Sequence, residues 1–391
     1  MGRSRNLSQL KPNDQGLIET DDINDLAVTT GKMAAGAVTA SKMANAGQEL
    51  GMRNRIINGD MRVDQRNGGA SVVVNTTAPF PVDRWNTYSD IANMTAQRST
   101  VAPAGFINSL LHTVTGGAAP TAAQISRLEQ RIEGVNVTDL GWGTANAQAV
   151  TISFWVRCSV TGTHSGAVSN NGGNRSYPFV FTVSSANTWE YKTVNIPGDT
   201  TGTWTTDNTT GFKLMFNLGT GTTYLGTAGA WAASGLFGAT GSVQLCATSG
   251  ATLYLTGVQV EVGTVATPFE RRLYGQELAL CQRYLPAFKS SGAVSMAGNG
   301  MIVSATQATV LYNFLVTPRV APTGVTVSSA SHFTVNSPTA GGVVASAISM
   351  TDASERVGRL LMTIAGATTG QACELYANTT AGQILFTGCE L

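Results

Sequence analysis

The apolar and polar positions divide the chain into regions of different period. Between residues 18 and 43, Ile18, Ile23, Val28, Met33, Val38 and Met43 recur every five residues. Written in tens, the segment holds Ile18-Glu-Thr-Asp-Asp-Ile23, Val28-Thr-Thr-Gly-Lys-Met33 and Val38-Thr-Ala-Ser-Lys-Met43. Five matches neither the roughly 3.6-residue period of a helix nor the alternation of a strand, so one chain alone gains no continuous apolar stripe. Short units that cannot bury their own apolar side chains become stable by stacking on neighbours or on companion chains. The repeat therefore predicts a parallel homotrimeric stalk over residues 17–53, with a low-complexity linker as the alternative. Residues 1–16 read as an attachment segment.

From residue 54 the alternation typical of strands takes over. In Val150-Thr-Ile-Ser-Phe-Trp-Val-Arg157 apolar residues alternate with small or polar ones, and residues 253–262 do the same. That pattern suits a sheet with one wet face. Similar runs at 71–74, 177–183, 189–196 and 211–218 are separated by Gly-, Asn- and Thr-rich turns, which predicts a jelly-roll β-sandwich over 54–272. One segment reads both ways. Thr121-Ala-Ala-Gln124 is a capping box ahead of Ile125, Leu128 and Ile132 on one helical face, yet Leu128, Gln130 and Ile132 also share one face of a strand. A clear helix follows at 274–285, where Tyr274, Leu278, Cys281 and Leu285 fall at i, i+4, i+7 and i+11. It makes 273–286 a linking helix. Runs at 308–316, 325–327, 333–335, 359–364 and 384–386 predict a small C-terminal β domain over 287–391.

Composition supports an all-β chain. Charged residues are 12%, against about 25% in typical soluble domains, and there are 44 glycines. Small uncharged residues suit tight turns and pleated surfaces. A net charge of +1 from 24 basic and 23 acidic residues gives no electrostatic footprint for phosphates, so nucleic acid is not an expected partner. The uncharged stretch 214–260 is too rich in Gly, Thr and Ser for a membrane helix, and no membrane insertion is expected. The N-terminal residues carry no signal-peptide apolar region. Cys158, Cys246, Cys281, Cys373 and Cys389 are scattered without a C-x-x-C pair, and read as reduced, buried thiols.

Candidate chemistry is sparse. A glycan-cleaving site needs two carboxylates about 5–10 Å apart, and no pattern singles out a pair. Asp60, Asp64, Asp83, Glu261 and Glu270 gather in neighbouring segments, but Asp83-Arg84-Trp85 reads more simply as an ion pair beside a core aromatic. A structural calcium on these acids has no D-x-D-x-D-G loop to support it. His112, His164 and His332 stand alone, and neither a nucleophile elbow nor a phosphate loop is present. No enzymatic activity, metal or cofactor is expected. For a sugar ligand, aromatic rings pack against pyranose C–H groups while amides bond hydroxyls. Trp204, Tyr224 and Trp231, in Gly-Thr-rich loops, and Asn208 are the candidates, whereas Trp85, Trp155 and Trp189 fit strand or core positions better. The loop tryptophans would otherwise seal the sandwich ends or pack between subunits.

Six segments occur in a definite order: Asn54-Arg-Ile-Ile-Asn-Gly-Asp-Met-Arg-Val-Asp-Gln-Arg66, Val82-Asp-Arg-Trp85, Ser153-Phe-Trp-Val156, Thr256-Gly-Val-Gln-Val-Glu-Val-Gly263, Ala266-Thr-Pro-Phe-Glu-Arg271 and Tyr274-Gly-Gln-Glu-Leu-Ala-Leu-Cys-Gln-Arg-Tyr284. Together they resemble the carbohydrate-binding-like domains of bacteriophage tail fibres. The resemblance implies a jelly roll on a homotrimeric virion fibre, made in the host cytoplasm. Its N-terminus would join other tail or baseplate proteins, and its β domains would attach to a host-cell surface glycan. It also implies that Gln130-Arg-Ile-Glu133 is a strand. Two other readings remain: a purely structural head, neck or baseplate component without receptor contact, and, ranked last, a glycan depolymerase.

Overall fold

The computed structural model describes residues 53–91 and 93–391. The attachment segment 1–16 and the stalk positions Ile18, Ile23, Val28, Met33, Val38 and Met43 lie outside the described residues. Residues 54–391 form one unit. Its first part contains β1 (Val72–Val74), β2 (Asn86–Ser89), β3 (Met94–Ser99), β4 (Ser109–Val114), β5 (Ile125–Glu133), β6 (Val150–Cys158) and β7 (Gly162–Ser169). There follow β8 (Ser176–Val183), β9 (Glu190–Ile196), β10 (Thr210–Thr220), the short β11 (Leu225–Gly226) and β12 (Gly238–Ala239), and β13 (Thr252–Val262).

Two antiparallel sheets result, ordered β1-β3-β4-β13-β6-β9 and β2-β5-β10-β7-β8. Within them β4-β13-β6-β9 faces β5-β10-β7-β8, and most successive connections cross from one sheet to the other. That is the jelly-roll order. The alternation in β6 turns Val150, Ile152, Phe154, Val156 and Cys158 into the core, opposite Phe212, Leu214, Phe216 and Leu218 of β10. Phe154 and Phe216 meet edge-to-face at 5.1 Å. Each such side chain contributes roughly 1.5–3 kcal/mol by leaving water.

The ambiguous segment is strand β5. Its pairing with β10 sets Leu128 opposite Phe216 and Ile132 close to Phe212, so the inward face of the sheet decides against a helix. The local signal survives only as a turn, in which Thr121 N–H donates to Gln124 Oε1 at 2.9 Å.

The helix α1 (Tyr274–Gln282) stops short of Leu285. Cys281 and Leu285 are buried, but Tyr274 is exposed, so the apolar face is a turn shorter than the spacing predicted. Beyond it come β14 (Ala287–Lys289), β15 (Ser295–Ser304), β16 (Gln307–Asn313), β17 (Gly324–Val327), β18 (Phe333–Ser337), β19 (Gly341–Val344), β20 (Ala347–Ala353), β21 (Val357–Thr363), β22 (Ala372–Ala377) and β23 (Gln383–Thr387). They form a seven-stranded sheet, β19-β18-β22-β15-β16-β21-β20, and a three-stranded one, β14-β23-β17. The domain is richer in strands than its sequence indicates. Gly298 and Gly300 break the pattern of β15, yet both are required there. A Cβ on Gly300 would lie 1.8 Å from the Thr309 carbonyl oxygen of β16.

All five cysteines are free and buried. Burial pushes the Cys246 and Cys389 thiols up to about 11. The native chain is therefore expected to resist iodoacetamide near neutral pH, and all five thiols should react after denaturation. Mass spectrometry of the two reactions checks this.

Candidate functional site

Five of the six segments that carry the resemblance meet where the sandwich, α1 and the strands after it come together, while Ser153-Phe-Trp-Val156 lies in β6. Asn54 donates through Nδ2 to Val258 O at 3.0 Å and through its backbone N–H to Glu270 Oε2 at 2.8 Å. Asn58 donates its backbone N–H to Glu277 and its amide to Val63 O and Asp83 O. Arg283 makes two bonds to Glu133, at 2.8 and 2.9 Å. The Arg84 guanidinium lies 3.4 Å from the Tyr284 ring centre and pairs with Glu390. Arg66 reaches both Asp83 and Glu390. Arg319 closes the arrangement by donating to the carbonyls of Cys389 and Glu390, both at 2.8 Å.

The acidic residues named in the sequence are engaged in this joint or beside it. Asp60 pairs with Arg62, Asp64 accepts from the backbone of Asn67 and Gly69, and Glu270 pairs with Arg272. Glu261 is buried and accepts from Gln259 and from the backbone and hydroxyl of Thr267. Burial pushes the Asp83 carboxyl up despite Arg66 beside it. Burial also acts upward on Glu133, but the Arg283 bonds and the Tyr284 hydroxyl outweigh it and hold that carboxyl below its usual range. The motif residues thus tie the sandwich to α1 and to the strands that follow it within one unit.

Trp204 and Trp231 come together with Trp142 at one end of the sandwich. The three rings pack edge-to-face, with centroids 4.6, 5.3 and 5.7 Å apart. Each indole N–H is used: Trp142 donates to Gln148 O, Trp204 to Asp199 Oδ2 and Trp231 to Pro197 O. Arg175 holds Asp199 with two bonds. The adjoining cavity measures about 20 Å³, room for a single water molecule and not for a sugar ring. This geometry seals the sandwich end. Tyr224 lies elsewhere, against Phe237 at 5.2 Å. Asn208 exchanges hydrogen bonds with Arg319 at the C-terminal domain.

The outer face of the six-stranded sheet has a different character. Register sets Gln97 opposite Leu111, Leu111 opposite Tyr254, and Tyr254 opposite Arg157, making one row across β3, β4, β13 and β6. The next row sets Thr256 opposite Trp155 and Trp155 opposite Tyr191. Trp155 and Tyr191 have centroids 5.4 Å apart, and Trp189 approaches Tyr254 at 6.1 Å. All four rings are partly solvent-exposed, Tyr191 by 42%. Phe106 and Phe269, 5.3 Å apart, extend the surface past Gly257, where a Cβ would meet the Phe106 ring at 2.7 Å and Trp155 at 3.1 Å. Thr193 on β9, and Thr95, Gln97 and Thr113 on β3 and β4, add polar groups to the same face. Flat aromatic surface interspersed with hydroxyls and amides can take up a pyranose, with ring C–H groups on the aromatics and hydroxyls on the polar atoms. Of the three tryptophans expected at strand or core positions, Trp85 is in the core, Trp155 is in strand β6 and Trp189 immediately precedes β9, the last two on the outer face.

No family model matches the chain, and no curated protein does. Among solved structures, it is similar to the enzymatically active domain of tailspike protein 4 of bacteriophage CBA120, at 12% identity and a TM-score of 0.30 over 54% of this chain and 22% of that one. It is also similar to the family 11 carbohydrate-binding module of Clostridium thermocellum in complex with a β-1,3-1,4-mixed-linked tetrasaccharide, at 13% identity and a TM-score of 0.25, covering 51% of this chain and all of the module. These likenesses are distant.

Proposed function

We propose that this chain is a bacteriophage virion fibre protein, a homotrimer that attaches to host-surface glycan through the outer face of the six-stranded sheet. The observation that carries the glycan reading is the partly exposed group of Trp155, Tyr191, Trp189 and Tyr254 on a sheet face that also carries Arg157, Gln97 and several threonines. The five-residue repeat supports the trimeric stalk, and the ordered segments from Asn54 to Tyr284 support the tail-fibre assignment. The role is adhesive and non-catalytic in this reading, since the acids of the motif segments are engaged in ion pairs and hydrogen bonds.

Substituting Trp155→Ala or Tyr191→Ala is expected to weaken binding to host cells about tenfold each, the scale of losing one stacking ring, with little change in melting temperature. Competition between the purified protein and phage for adsorption is the measurement. Unchanged adsorption in both variants would remove the platform. Light scattering of the full chain should give three times 40.6 kDa, and a monomer at micromolar concentration would overturn the trimer.

A further inference from the structure

We infer that Arg157 clamps the carboxylate of an acidic saccharide, making the platform selective for anionic glycans. This rests on the glycan reading above and names its ligand class. Arg157 lies two residues from Trp155 on the same face of β6, about 7 Å along the strand, which is the breadth of one sugar residue. A pyranose resting on Trp155 and Tyr191 therefore brings a ring-borne carboxylate to the guanidinium.

The guanidinium is held in one orientation. Its Nε donates to Asn187 O at 2.8 Å, and its plane sits 5.0 Å from the Tyr254 ring centre. Asn187 has φ 55, a left-handed conformation that few residues with a Cβ adopt, and its own N–H is fixed on Cys158 O at 2.7 Å. The turn before Trp189 thus presents a carbonyl to Arg157 Nε and leaves both Nη groups without a hydrogen-bond partner among the described residues. Arg55, Arg66, Arg84, Arg175 and Arg283 each pair with a carboxylate, and among the described residues Arg157 has none. Glu261, on the same face of β13, is buried and saturated by Thr267 and Gln259. A planar fork with one edge fixed and the other free matches a carboxylate in two parallel N–H···O bonds, which an ammonium group does not reproduce.

The test is binding of the full chain to an array of acidic glycans and their carboxyl-reduced neutral counterparts. The expected result is binding to uronate-bearing members about tenfold tighter than to their reduced forms at low salt, lost in Arg157→Met and only partly kept in Arg157→Lys. Weak neutral binding should persist in Arg157→Met and fall in Trp155→Ala. Equal affinity for acidic and reduced forms, or a preference that survives Arg157→Met, overturns the clamp while leaving the platform. Binding to no member of the array, or binding indifferent to Trp155→Ala, overturns the platform and the clamp with it.

Discussion

Trp85→Ala is expected to lower the stability of the unit by about 3–5 kcal/mol, the usual result of truncating a buried tryptophan. Trp85 is fully buried, and its ring faces Phe216 at 6.5 Å. Its indole N–H donates to Asn58 O at 3.0 Å, so truncation leaves a cavity and an unpaired carbonyl together. Asn58 also orders the loop through Val63 and Asp83, so the loss reaches the joint. A shift in the urea midpoint measures the effect. Trp231→Ala, at a partly exposed position, is the comparison and should cost less. A change below about 1 kcal/mol for Trp85→Ala would contradict its place in the core.

Arg283→Met should cost a similar amount, about 3–5 kcal/mol, because it leaves Glu133 buried without its charge partner. The loss carries a pH signature. In the native chain burial raises the Glu133 carboxyl, and Arg283 and Tyr284 more than reverse this. Its folded value lies below its unfolded one, so the stability it contributes is present above the unfolded value and lost as pH falls through the folded value. Without Arg283, burial is opposed only by the Tyr284 hydroxyl and the charge of Arg319, the carboxyl rises, and protonation in acid relieves the variant. The gap between native chain and variant is therefore largest near neutral pH and narrows below about pH 4–5. Adding Glu133→Gln to the variant should recover much of the loss at pH 7. A gap independent of pH would show that the pair is not its source.

Much of the sandwich was legible from alternation, because β6, β8, β10 and β13 are long and each has one dry face. The same period placed Trp155 and Arg157 on the face opposite Phe154, so the platform was implicit in β6. Alternation states that two faces differ, and it does not state that a tryptophan lies on the wet one. Periodicity alone left β5 open between helix and strand; the resemblance favoured the strand, and Phe212 and Phe216 across the sheet supply the physical reason. In the C-terminal domain β15, β19 and β22 rest on Gly, Ala and Met at positions where close backbone approach matters more than side-chain preference. The tryptophans at 142, 204 and 231 are far apart in sequence, and their mutual edge-to-face packing had no local signal. The resemblance segments marked the joint, where pairs such as Glu133 and Arg283 explain why those residue types sit so far apart in the chain.

That joint has a mechanical consequence. The chain enters the sandwich at Asn54, which bonds to Val258 and Glu270, and leaves it at Arg272, which bonds back to Asn54 and Ile56. The far end of the chain returns to the same place through Glu390 and Leu391, held by Arg84 and Arg131. A pull applied between residue 54 and the C-terminal strands is met first by this short clasp, before it reaches most strands of the jelly roll. The outer sheet face meets that load at one end of β13, where Asn54 bonds to Val258 and Val260, and the rows of Tyr254 and Thr256 lie on the other side of the irregularity between Thr256 and Gln259.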